Sequence, residues 1–165
     1  MINIREYELL SLETGAYRDI ELDILKETLA TWKEKPGDPF ELIELRDGAT
    51  LAGFCLYYRA PNTDYTFDVH TFVVGRDYRN KAVGPRLVEL LEERLLESRN
   101  YAVIRTETSK LKEDSVGEGF FQSNGFQTIG LQVEQVVIES GLGCKEDRRY
   151  AQGEGRRAKH PTSAI

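Results

Sequence analysis

Cysteine, histidine and methionine are scarce in this chain of 165 residues, with two, two and one copies. The two cysteines are isolated: Cys55 lies inside an apolar run and Cys144 in a polar tail. That spacing excludes a disulfide framework and a metal knuckle, no metal ligand set is expected, and a reducing cytoplasm is the expected compartment. Long apolar runs are also missing. No stretch approaches the ~18 to 20 apolar residues of a membrane helix, and Met1–Tyr7 lacks the basic-then-apolar pattern of a signal peptide. Positive charge is short as well. The last 25 residues hold six basic and three acidic side chains out of 22 and 28, so residues 1–140 keep 16 and 25, a net of −9. Such a surface repels nucleic-acid phosphates and favours cationic partners.

What is present is a mixed α/β pattern. Ile2–Tyr7 alternates in the manner of a strand. From Tyr17 to Lys33, Leu22, Leu25, Leu29 and Trp32 form a helical stripe that Pro36-Gly37-Asp38-Pro39 terminates. Asp47-Gly48 between the β-prone runs 40–46 and 50–59 signals a hairpin. A loop over 60–66 and a strand over 67–74 follow. A polar, basic turn over 75–84 then leads into a helix over 85–98, with Leu87, Val88, Leu91 and Leu95 inward. A strand over 101–107, a short helix over 115–123 and strands over 126–131 and 133–139 complete the pattern. Residues 1–140 read as one domain and residues 141–165 as a basic, flexible tail.

The turn carries the chemistry. Arg76, Arg79, Lys81 and Arg86 place four positive charges within eleven residues of an otherwise acidic chain. Gly84 and Pro85 mark the start of the following helix. Unpaired N–H groups and the positive end of the dipole make such a start an anion site.

Arg79-Asn80-Lys81-Ala82-Val83-Gly84 resembles the pyrophosphate loop of the GNAT superfamily of N-acetyltransferases, Arg/Gln-x-x-Gly-x-Gly/Ala. Ala82 stands where the first glycine is usual, and it admits the phosphates only with a negative φ. Downstream, Gly119-Phe120-Phe121-Gln122-Ser123-Asn124-Gly125-Phe126 resembles the family's Phe-Tyr-x-x-x-Gly-Phe motif. The resemblance implies a central, mostly antiparallel twisted sheet of six to seven strands, splayed at a coenzyme A cleft and flanked by about four helices. It implies acetyl-CoA as cosubstrate. The pyrophosphate would sit on Arg79, Asn80, Lys81, Ala82, Val83, Gly84 and Pro85, and the pantetheine along Phe72, Val73 and Val74, where one N–H polarises the thioester. The acceptor would be a small-molecule or protein amine; monomer and homodimer both stay open.

On the strand at 67–74 a period of two places Asp68, His70, Phe72 and Val74 on one face. His70 occupies the position where many relatives of this family carry a catalytic glutamate, and an imidazole suits a base near neutral pH; Asp68 is its deputy. Phe121 replaces the family's proton-donating tyrosine, leaving Tyr57, Tyr58 and Ser123 as candidate donors. Asp114 replaces an asparagine that touches the pantetheine in relatives. Phe121 would line the cofactor cleft, and Cys55 reads as a small buried hydrophobe. The departures at Ala82, Asp114 and Phe121 also fit an alternative function: a non-catalytic module that senses coenzyme A.

Overall fold

The computed structural model describes residues 3–108 and 116–130. Helices α1 (Ile4–Thr14) and α2 (Asp19–Glu34) precede strands β1 (Phe40–Asp47), β2 (Thr50–Arg59) and β3 (Thr66–Val74). A 3-10 turn (Arg76–Tyr78), helix α3 (Val83–Leu96), strand β4 (Val103–Thr106) and helix α4 (Val116–Ser123) follow. The sheet runs β1-β2-β3-β4, antiparallel across the first three strands and parallel between β3 and β4. The class is the mixed α/β one that the sequence pattern implies.

The first segment is a helix, not the expected strand. Alternation over six residues is outweighed by a longer helical period: Tyr7, Ser11 and Thr14 are buried on one face, with Ile4 and Leu10 packed beside them. Gly15, at φ +63°, ends the helix by returning its N–H to the Leu12 carbonyl. The Tyr7 hydroxyl donates to Glu44, and Arg46 joins Glu6 at 3.0 Å to Glu44 at 2.9 Å, which ties α1 to β1.

Among the described residues the sheet has four strands rather than six or seven. Residues 126–130 are not in a strand; 131–139, Asp114, Cys144 and the tail lie outside the described residues. The hairpin forms as expected, with Asp47 opposite Thr50 and Gly48 at φ +59° in its turn. Central strand β2 is buried from Leu51 to Tyr57 because helices cover both faces of the sheet. On one face Leu25, Leu29 and Trp32 of α2 meet Phe54, Leu56 and Val73. On the other, Leu87, Leu91 and Leu95 of α3 meet Ile43, Cys55 and Phe67. Each such aliphatic side chain contributes roughly 2 kcal/mol on burial. Gly53 permits the close approach of β3, since a Cβ there would lie 2.7 Å from the Val73 carbonyl oxygen. Among the described residues, no helix is long and apolar enough to cross a membrane.

Candidate active site

β3 and β4 run together only briefly. Thr66 to Val69 pair with Val103 to Thr106; among the described residues the pairing stops there, while β3 continues to Val74. The strands separate at His70, the one β3 residue skipped in the register between Leu56↔Thr71 and Tyr57↔Val69. Such a bulge increases twist and re-aims the side chains beyond it. The Gly75 N–H bonds the Ala52 carbonyl. Counting back by the antiparallel alternation, Val73 and Thr71 face β2, whereas the N–H and C=O groups of Phe72 and Val74 point into the split.

The bulge also overturns the expected facing of β3. Asp68 and His70 share the α2 side of the sheet, where His70 meets Thr28 and Phe40. Phe72 and Val74 pack on the α3 side with Val69. Val73, expected with the cofactor, is buried in the core on the α1–α2 face, and its backbone groups face β2 rather than the split. One inserted residue shifts the two-residue period by one step.

Beyond the 3-10 turn, residues 79–82 are exposed and α3 begins at Val83, two residues before the expected start. Ala82 precedes it at φ +60° and forms no side-chain cap. The negative φ set as the condition for admitting the phosphates is therefore not met. Alanine holds the left-handed conformation that glycine would supply at no steric cost, a strain of about 1 to 2 kcal/mol. Asn80 adopts φ +59° beside it, which asparagine tolerates better. Gly84 is required for space rather than for φ, because a Cβ there would lie 2.7 Å from the Phe120 ring. Two of the four basic residues have internal duties. Arg76 donates to the Thr14 carbonyl at 3.2 Å, and Arg86 pairs with Glu89 at 2.9 Å and Glu93 at 3.1 Å. Arg79 and Lys81 remain on the surface, with Lys81 over the Tyr78 ring. An open groove of about 570 Å3 borders the turn, lined by Lys81 and Arg86 but also by Asp47 and Glu89. The Arg79 N–H is returned to the Arg76 carbonyl, but no side chain caps the start of α3, and an uncapped helix start suits an anionic group such as a diphosphate.

His70 is half-buried, and burial moves its imidazole below its usual pKa, so the ring is neutral near pH 7. Its Nδ1 lies 2.8 Å from the Thr71 hydroxyl and its Nε2 3.4 Å from the Thr28 hydroxyl. Thr28 gives its own proton to the Ile24 carbonyl, so it accepts from Nε2–H and leaves Nδ1 as the ring's basic atom. Asp68 holds both arms of Arg105, at 2.7 and 2.8 Å.

Phe121 is buried, with ring centroids 5.4 Å from Phe72, 5.1 Å from Phe120 and 5.1 Å from Phe126. It is thus part of an aromatic wall against the unpaired half of β3. The candidate proton donors lie in other settings. Tyr57 is buried in the core on the α3 side and donates to Glu41, Tyr58 stands opposite Asp68 in the β2–β3 register, and Ser123 donates to the Gly119 carbonyl. Burial pushes the Cys55 thiol up to about 12, in keeping with a buried hydrophobe. Sequence reasoning missed Tyr17, whose hydroxyl donates to the Phe72 carbonyl at 3.1 Å from the segment between α1 and α2. Only the position of Tyr17 just ahead of a helical stripe hinted at it.

The parallel β3–β4 pair thus ends beside a helix start without a side-chain cap, in a mixed α/β fold. The chain belongs to the Acetyltransferase (GNAT) family, whose model matches residues 6–126. Solved structures share the fold. A protein from Desulfovibrio desulfuricans assigned to the GNAT acetyltransferases superimposes with a TM-score of 0.70 at 17% identity, over 76% of this chain and 79% of its own. PaiA N-acetyltransferase from Thermoplasma acidophilum, in complex with coenzyme A, gives 0.60 at 17%, over 75% and 83%. An aminoglycoside acetyltransferase from an uncultured soil metagenomic sample, in complex with sisomicin, gives 0.58 at 13%, over 82% and 85%. A search of curated proteins finds no significant match.

Proposed function

We propose that this protein transfers an acetyl group from acetyl-CoA to a primary amine by direct attack in a ternary complex. The observation that carries the reading is the open half of β3, whose Phe72 and Val74 backbone groups face the split beside the uncapped start of α3. Acetyl-CoA fits there with its pyrophosphate on residues 79–85 and its pantetheine along Phe72–Val74, Phe121 closing the wall. The Phe72 N–H then stabilises charge that develops on the thioester oxygen, and binding both reactants in one cleft supplies proximity.

An alkyl ammonium with a pKa near ~10.4 must lose a proton before it attacks. His70 receives that proton at Nδ1, where the Thr71 hydroxyl stands as the hydrogen-bonded intermediary. Asp68, engaged by Arg105, serves as electrostatic support and a weaker base. The acidic surface of residues 1–140 favours a cationic acceptor, in the company of a neighbour that binds the aminoglycoside sisomicin. Residues 141–165 are proposed as a basic extension outside the catalytic domain, in a cytoplasmic protein.

A second reading has one specific observation in its favour. Among the described residues the Tyr57 and Ser123 hydroxyls are engaged away from Phe121, and Ala82 is strained in the turn before α3. A coenzyme A sensor would tolerate both. The two readings separate when the full chain is incubated with acetyl-CoA and a panel of amines while free thiol is followed. Amine-dependent thiol release supports transfer; tight binding of coenzyme A without release above background supports the sensor.

A further inference from the structure

We propose that Tyr17 is a second oxyanion donor, its hydroxyl acting with the Phe72 N–H on the thioester carbonyl oxygen. This rests on the reading that acetyl-CoA docks on the open edge of β3. The N–H and C=O of one strand residue project to the same side. A ligand oxygen held by the Phe72 N–H therefore lies next to whatever is held by the Phe72 C=O. What is held there is the Tyr17 hydroxyl, at 3.1 Å. The phenol is thus already at the lip of the split, within one hydroxyl rotation of the ligand oxygen.

Three further observations fit. The Tyr17 ring packs against the core formed by Leu25, Leu29, Phe54 and Val73, which fixes the direction of its hydroxyl. Burial raises the phenol above its ordinary pKa, with Glu21 and Cys55 adding to the rise, so it keeps its proton across the neutral range. A donor that never ionises suits an oxyanion, which needs a hydrogen bond and not a proton. Finally, the hydrogen bond to Phe72 gives a resting position that is exchanged, rather than created, during turnover. As acetyl-CoA binds, the Tyr17 O–H turns from Phe72 to the thioester oxygen, and as the amine nitrogen bonds to the carbonyl carbon the π electrons move onto that oxygen. As the C–S bond breaks and its electron pair leaves on sulfur, the carbonyl reforms and the hydroxyl returns to Phe72.

The test uses the full chain with acetyl-CoA labelled with carbon-13 at the thioester carbonyl, read by isotope-edited infrared spectroscopy. In the unmodified protein the bound carbonyl band lies below its position in Tyr17→Phe, while calorimetry gives the same affinity for both. Replacing the tyrosine at 17 with a ring-fluorinated tyrosine, a more acidic phenol and stronger donor, moves the band further down. That arm decides the matter if Tyr17→Phe fails to fold. With an accepted amine, Tyr17→Phe lowers kcat about a hundredfold at unchanged KM for acetyl-CoA, equally from about pH 6 to about pH 9. Identical band positions in all three proteins overturn the role of Tyr17 and leave the acetyltransferase reading intact. No binding of acetyl-CoA to the unmodified protein overturns both.

Discussion

The two halves of β3 have the same neighbour on one side and different fates on the other. Thr66–Val69 lies between β2 and β4, and its backbone is used up in the sheet. Beyond the bulge at His70, Thr71–Val74 keeps β2 but parts from β4, and its outward backbone groups meet a phenol and the mouth of a cleft. The closed half is secured by hydrogen bonds and by the Asp68–Arg105 bridge. On the side turned from β2 the open half is backed by side chains, the rings of Phe72, Phe120 and Phe121 and the Tyr17 hydroxyl. Packing can thus hold a strand edge in place without consuming its polar groups, which is what a backbone-binding site requires.

Removing the aromatic wall is the strongest way to break this contrast. Phe121→Ala is expected to destabilise the fold by about 4 kcal/mol, because a buried ring is lost from a cluster that cannot collapse around it; urea denaturation measures the loss. His70→Gln tests the hinge between the halves. It is expected to lower kcat/KM for amine acetylation about a hundredfold while sparing acetyl-CoA affinity. Its effect on stability has a definite sign. Since burial depresses the folded-state pKa, the unfolded chain takes up the proton first. The unmodified protein therefore keeps its full stability above about pH 6.5 and loses it as pH falls below that value. His70→Gln flattens this acid-side loss in denaturation curves collected across pH.

Ala82→Gly sharpens the comparison from the other end of the cleft. Relief of the left-handed strain raises stability by about 1 kcal/mol, less the extra chain entropy of glycine. Calorimetry with coenzyme A is expected to show affinity held or improved, since the turn's shape is kept. The smallest effect belongs to the closed half. Arg105→Ala removes a half-exposed ion pair and is expected to cost under about 1 kcal/mol. A larger loss would mean that the bridge, and not the ladder, keeps β3 and β4 together.

Much of this was legible in the sequence for a physical reason: α2, the hairpin, α3 and the inward set Leu87, Val88, Leu91 and Leu95 are each governed by local periodicity or turn chemistry. The turn ahead of α3 was legible because Gly84 and Pro85 signal a helix start. What escaped depends on tertiary context. Ile2–Tyr7 contains too few residues to reveal a helical period that only Ser11 and Thr14 complete. The bulge at His70 has no glycine to announce it, so Phe72 and Val74 were assigned to the wrong face. The positive φ of Ala82 escaped because nothing local tells alanine to strain; the turn imposes it. The partnership of Tyr17 and Phe72 spans 55 positions, beyond the reach of any spacing argument.

Trp32 is the chain's single tryptophan, and its indole is buried at the end of α2, edge-on to the Tyr7 ring of α1. Its fluorescence therefore comes from one layer of the molecule, the helices that cover the side of the sheet where His70 lies. Any loosening of that cover would wet the indole and shift its emission to the red. The protein carries a built-in optical gauge of the layer beside its proposed base, and α3, across the sheet, has no tryptophan to blur it.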